Sequence, residues 1–292
     1  MRRPSPIAIG SVLVAVLVAG CASNAASPSA SNPPPSAGQA TATSATPAPT
    51  PVEVPAAACP VPAGDYAGTR YAPHPAPGTT RLPASVPLPA GAQVFGTEFL
   101  PGSVSYLLGP ASATCQGALA SADGGEIMTA VDRSGSVTML IRPGGVGPST
   151  DLACPYIPAV HAADEAFRQG RVFCDHPSAD VIRQIPTGTP SLYAAAVLVP
   201  GHVKDPDIQG SGRDPAVALY TAQAGSDYAN GQMIACTLAP AQRDVCAASL
   251  KFFLATQAQI RTQISAANLT KMENALASFL AATGPGPSLT VS

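Results

Sequence analysis

Charge is scarce in this chain. Of 292 residues only 11% are charged, aromatic residues make up 5%, and tryptophan is absent. No stretch clusters lysine or arginine or interleaves them with aromatics. The electrostatic and stacking footprint of a nucleic-acid binder is therefore missing, and nucleic acid is not an expected partner. Catalytic signatures are missing as well. There is no Gly-x-Ser-x-Gly elbow, and the nearest texts, Gly210-Ser211-Gly212 and Ser134-Gly135-Ser136, read as turns. No glycine-rich phosphate loop opens a helix, so no nucleotide cofactor is expected. Neither His-Glu-x-x-His nor Cys-x-x-Cys occurs, which removes the common zinc frameworks. No apolar run reaches the ~20 residues that cross a bilayer comfortably as a helix.

What is present starts at the N-terminus. Met1-Arg2-Arg3 is a short cationic opening, and Ile7 to Gly20 are apolar or small. This is the pattern of a secretory signal. It ends in Val18-Ala19-Gly20-Cys21: an aliphatic residue, two small residues and a cysteine. Residues 1–21 resemble the lipobox-type signal of bacterial lipoprotein precursors, and the resemblance stops there. It implies a diacylglycerol on the Cys21 sulfur, cleavage just before Cys21, and a mature protein lipid-anchored on the extracytoplasmic side of the cell membrane. Each buried methylene contributes ~0.8 kcal/mol, so two or more acyl chains anchor stably where one does not. The chain is rich in Ala, Pro and Gly, and Arg far outnumbers Lys. In this it is similar to lipoproteins of high-GC Gram-positive bacteria. Loss of Arg2 and Arg3 with the signal leaves 13 basic residues against 17 acidic, a net charge of −4. That is too weak an imbalance to specify a cationic ligand.

From Ala22 to Ala58 the only charged residue is Glu53. The rest, mostly Ala, Ser, Thr and Pro, offers too little apolar surface to offset the entropy of ordering. Pro33-Pro34-Pro35 and residues 45–51 favour polyproline II. Such a spacer covers about 35 Å as a coil and up to about 110 Å when stiff. The expected organisation is a signal peptide at 1–20, lipidated Cys21 with a disordered linker to residue 58, one extracytoplasmic domain over 59–283, and a flexible tail at 284–292.

Seven cysteines are an odd number for an exported protein. Assigning Cys21 to the lipid leaves six, which in an oxidising compartment read as disulfides. Six cysteines admit 15 connectivities. Loop closure favours short separations, which gives Cys59–Cys115, Cys154–Cys174 and Cys236–Cys246.

The domain reads as α+β. The segment 60–92, rich in Pro and Gly, reads as irregular chain. Strands are expected at 93–100, 103–108, 126–132 and 136–142, the last two forming a hairpin. A helix is expected over Pro158 to Gln169. Leu192 to Val199 is almost wholly apolar and reads as a strand buried on both faces. Strands at 216–222 and 233–238 follow, with Asn230-Gly231 as the turn between them. A helical stripe covers 241–264. A second helix, capped by Asn268, carries Leu269, Met272, Leu276, Phe279 and Leu280 on one face. The fold expected is a mainly antiparallel sheet with one inserted helix and two C-terminal helices, stapled by disulfides.

Two constellations could hold a cation. His161 and Glu165 lie one helical turn apart, with Asp175 and His176 just past Cys174, a zinc-like set. The bland alternative is a solvated helix face, since i, i+4 pairs of this kind are common. Asp205, Asp207 and Asp214 are spaced as in some calcium loops, but the terminal Glu of an EF-hand is lacking and Pro206 stiffens the segment. A polar surface loop accounts for them better. No catalytic or cofactor-binding residue is assigned, and no cofactor is expected. Three readings follow for the domain: a non-catalytic binding or sensing module for an envelope component, a carrier of an apolar or lipid ligand, or a hydrolase whose site is assembled from scattered residues.

Overall fold

The backbone alternation set up by these residues closes into two main sheets sharing one pair of helices. The computed structural model describes residues 50–66, 69–71, 78–100, 102–121, 125–144, 146–160, 181–200, 213–222, 229–262 and 264–283. Residues 48–292 constitute one compact unit. In chain order the strands are β1 (Val52–Ala58), β2 (Gly64–Tyr66), β3 (Thr69–Tyr71), β4 (Thr79–Leu82), β5 (Ala92–Leu100), β6 (Ser103–Pro110), β7 (Thr114–Ser121), β8 (Gly125–Val131) and β9 (Val137–Arg142). Helix α1 (Val146–Ala153) follows, then β10 (Val181–Ile185), β11 (Leu192–Pro200), β12 (Arg213–Ala222) and β13 (Ala229–Thr237). A 3-10 turn (Pro240–Gln242) leads into α2 (Arg243–Thr262), and α3 (Ala266–Ala282) closes the described chain. No described helix is long and apolar enough to cross a membrane.

The larger sheet has seven antiparallel strands in the order β10-β11-β12-β13-β9-β8-β7. The smaller has the order β4-β1-β5-β6, with β1 parallel to β5. β2 and β3 form a separate hairpin. The α+β class expected from the sequence is the one observed, as are the two C-terminal helices.

Period-2 alternation decides what each face of the large sheet meets. Along β11, Leu192, Ala194, Ala196 and Leu198 join one core with Phe95, Phe99 and Leu107 of the small sheet and Leu250, Leu254, Met272 and Phe279 of the helices. Ala195, Val197 and Val199 join the opposite core with Ala153, Tyr156, Ile157 and Val160. An unbroken apolar run is what burial on both faces demands. Helix α2 serves two cores: Leu250, Phe253 and Leu254 face the large sheet, while Val245, Ala248, Phe252 and Ala255 face Val54, Val94 and Leu108 of the small one.

Five expectations are corrected. The expected linker does not run to residue 58, because residues 52–58 form β1. Pro55 is tolerated in β1 because the strand changes partner there: Val52 to Pro55 pair with β4 and Ala56 to Ala58 with β5. A missing N–H costs least at such a handover. Second, 60–92 is not wholly irregular, since it holds β2, β3 and β4. Third, Asn230 and Gly231 lie inside β13, paired with Thr221 and Tyr220. Fourth, α3 is capped by Ser265, whose Oγ accepts from the N–H of Asn268; the cap falls three residues before Asn268. Fifth, an inserted helix absent from the expectation, α1, lies against β13. Of the helix expected at Pro158 to Gln169, residues 158–160 are helical and the remainder lies outside the described residues, as does the tail at 284–292.

Disulfides join Cys59 to Cys115 and Cys236 to Cys246. Cys154 is also disulfide-bonded; Cys174 lies outside the described residues. The β8–β9 hairpin turns at Asp132–Ser136, where Gly135 takes φ +79°. Asp132 accepts from the N–H groups of Ser134 and Ser136 at 2.8 and 3.0 Å, from Ser134 Oγ at 2.6 Å and from Gln242 Nε2 at 2.8 Å. Burial raises its carboxyl pKa, but these bonds outweigh it and hold the group below its usual range. The Ser-Gly-Ser text is thus a turn that ties the hairpin to the start of α2.

Candidate functional site

Of the residues singled out for cation binding, only Asp214 lies among the described residues. His161, Glu165, Asp175 and His176 lie outside the described residues, as do Asp205, Asp207 and Cys21. Among the described residues, no three His, Cys, Asp or Glu side chains come together as a metal site would require. Asp214 overturns its own expectation. It belongs to no surface loop: it sits on β12 opposite Val199, is 2% exposed, and its Oδ2 accepts from Thr237 Oγ1 at 2.5 Å. Burial pushes its carboxyl from 3.8 up to about 6, against the partial opposition of the Thr237 bond.

The sign of that shift sets a stability profile. Between pH ~4 and ~6 the folded protein holds a proton that the unfolded chain releases, so stability falls as pH rises through this window and levels off above it. Asp214→Asn keeps an acceptor for Thr237 but removes the titration. Urea melts of the two proteins at pH 4, 5, 6 and 7 should diverge through the window, with the variant the more stable at pH 7. Parallel profiles would refute the assignment.

A second polar group lies between the sheets. Arg142 Nη1 donates to Glu126 Oε2 at 2.6 Å and to Ser105 Oγ at 2.5 Å, and Ser105 Oγ donates to Glu126 at 3.1 Å. This clamps β6 of the small sheet to β8 and β9 of the large one. Ser105 is fully enclosed and its hydroxyl is committed to the ion pair. The group therefore suits a structural cross-tie better than a nucleophile.

A recess of about 390 Å³ opens to solvent at the tip of the β10–β11 hairpin, on the edge of the large sheet. The connecting text is Pro186-Thr187-Gly188-Thr189-Pro190-Ser191. Two prolines fix φ at their own positions, and Gly188 takes φ +60°. Ser191 takes φ +66°, the one non-glycine residue with positive φ among those described. A side chain in that region costs ~1–2 kcal/mol and persists only where its surroundings enforce it. Here they do. Thr187 Oγ1 donates to the Leu192 carbonyl at 2.8 Å and accepts from the Thr189 N–H at 3.3 Å. Asn268 Nδ2, from the first turn of α3, donates to the Gly188 carbonyl at 3.0 Å. A Cβ on Gly188 would come within 2.7 Å of the Asn268 amide, so glycine is required for both space and φ. Asn268 thus pins this loop, which is a different task from capping its helix.

The walls add two fixed side chains. Gln184 Nε2 donates to the Tyr156 carbonyl at 2.7 Å, which orients the amide and leaves Oε1 as an acceptor. Tyr193 is 36% exposed and rests against Tyr220, with ring centroids 6.4 Å apart and planes inclined by 43°. Tyr220 is buried, and its hydroxyl lies 3.3 Å from Thr150 Oγ1 of α1. No residue lining the recess carries a formal charge. Sequence reasoning passed over all of this. The signals were a loop with two prolines between apolar strands, and a lone tyrosine opening an otherwise aliphatic strand. No protein-family model, curated protein or solved structure matches this chain.

Proposed function

We propose that this chain is an exported lipoprotein, held through Cys21 on the extracytoplasmic face of the cell membrane, whose folded unit is a non-catalytic binding or sensing module. Its ligand occupies the β10–β11 recess. One observation carries the binding reading: the recess is open and uncharged, bounded by a loop whose positive-φ conformation is held by hydrogen bonds from Thr187 and Asn268. Preorganised polar groups around an exposed aromatic ring suit recognition. A carrier of an apolar ligand calls for an enclosed apolar volume, and this recess is open and rimmed by hydroxyls. A hydrolase calls for a nucleophile within reach of a base; Ser191 and the threonines here bond to backbone or face solvent.

Two measurements test the reading. Cys21→Ala should move the protein from the detergent phase into the soluble fraction; a variant that still partitions with membranes at the wild-type level removes the anchor. A bacterial envelope extract, separated into lipid, glycan and protein fractions, should raise the melting temperature of the wild type. The shift should shrink in Gln184→Ala. Failure of every fraction to shift the wild type ends the binding-module reading.

A further inference from the structure

We infer that the β10–β11 recess takes one unit of a neutral polysaccharide, stacked on Tyr193. The inference rests on the binding-module reading and names its ligand class. The groups available are the Gln184 Oε1 acceptor, the Ser191 hydroxyl, the acceptor lone pairs of Thr189 Oγ1 (its proton goes to the Thr187 carbonyl at 3.4 Å), loop backbone, and the face of one tyrosine. None is charged, so an anion would find no counter-charge to replace its hydration, and a cation no carboxylate. A pure hydrocarbon would leave Gln184 Oε1 and the Ser191 hydroxyl dry and without a partner. A sugar ring meets both demands. Its hydroxyls donate and accept around the rim, and its C–H face, weakly positive, lies on the negative face of an aromatic ring. Tyr193 is braced for this role by Tyr220, which Thr150 holds in turn. The volume, about 390 Å³, lies toward the small end of the ~300–1,000 Å³ range of small-ligand sites. It is open on one side, as a chain continuing past the site requires. The Thr187 and Asn268 bonds fix the loop conformation in advance, which removes part of the ordering entropy that a weak, repeated contact could not otherwise offset.

The test uses the full-length lipoprotein in a zwitterionic detergent free of sugar. Maltohexaose, a mannohexaose and an arabinohexaose serve as neutral probes, with hexagalacturonate as the charged probe and a neutral hexapeptide as the peptide probe. Titration followed by calorimetry or saturation-transfer NMR should show saturable binding of at least one neutral glycan. Tyr193→Ala should weaken it ten-fold or more, and Tyr193→Phe, which keeps the ring, should retain it. Three outcomes overturn the inference: no neutral glycan binds, the uronate or the peptide binds as well as the glycans, or Tyr193→Ala leaves affinity unchanged. If the lipid or protein fraction of the envelope extract still shifts the melting temperature while the glycans do not, the glycan assignment falls and the binding module stands.

Discussion

Cys59→Ser/Cys115→Ser is expected to lose about 4 kcal/mol of folding stability, and Cys236→Ser/Cys246→Ser about 3 kcal/mol. On the chain-entropy account, a bridge stabilises by restricting the unfolded chain, more so for longer loops. The separations are 56 residues and 10 residues, and they set the order. The first bridge also has local work to do. Cys59 leaves β1 with its N–H on the Gly96 carbonyl at 2.9 Å, and the next residue, Pro60, accepts from the Gly117 N–H of β7 at 2.8 Å. Val61 then packs over β7 so closely that a Cβ on Gly117 would meet its Cγ2 at 2.6 Å. The bridge therefore holds a cover across β7, the edge strand of the large sheet farthest from the recess. Edge strands left bare invite pairing with other chains, so the long-loop variant should also aggregate sooner on heating. Urea melts give the comparison. A loss of 4 kcal/mol would appear as a fall of roughly 8–16 °C in melting temperature for a domain of this size. If the short-loop variant loses more, the entropic ordering is wrong.

Legibility in the sequence followed how far each element depends on its own residues. Helices α2 and α3 announce themselves because their apolar stripes repeat with the helical period, whatever those stripes go on to meet. The run Leu192 to Val199 has one physical solution, a strand covered on both sides. The text Asp-Arg-Ser-Gly-Ser at 132–136 is a turn by its own chemistry. Elements that depend on distant partners were not legible. β1 reads as linker because a strand with a proline is acceptable only at a handover between two neighbours, and β4 and β5 supply them from elsewhere in the chain. Asp214 reads as a loop residue because its spacing from Asp205 and Asp207 is visible, whereas the Thr237 hydroxyl opposite it is not. Asn268 has the look of a cap, and its amide instead reaches back 80 residues to the Gly188 carbonyl. The recess was hidden for the same reason. Its loop is written locally in prolines and glycine, but the side chains that make it a site are anchored by Tyr156, Tyr220 and Asn268, from three other parts of the fold.

Gly231→Ala is expected to destabilise the protein by about 3 kcal/mol or more, toward or beyond the top of the usual range for overpacking. The Asn-Gly pair predicts a hairpin turn, where glycine supplies positive φ. Gly231 instead lies within a strand, and its φ is not positive. What it supplies is the absence of a side chain. A Cβ at this position would lie 2.1 Å from the carbonyl oxygen of Ser149 and 2.9 Å from its carbonyl carbon. Those atoms belong to the backbone of α1, so no rotamer change can relieve the clash, and the helix itself must lift from the sheet. Ser149 is tied to the Pro143 carbonyl at 3.3 Å, which restrains that movement. The displacement also reaches the recess. Gly231 is paired with Tyr220, Tyr220 meets Thr150 of the same helix, and Tyr220 braces Tyr193. Gly231→Ala should therefore lower both the melting temperature and the affinity for the neutral glycan, although residue 231 does not line the recess. Gly78→Ala is the control, since a Cβ there meets nothing within 4 Å; its effect should be within about 1 kcal/mol, on the stabilising side. Equal melting temperatures for the two variants would show that α1 yields to the added methyl group, and the close approach of helix and strand would then have no bearing on the site.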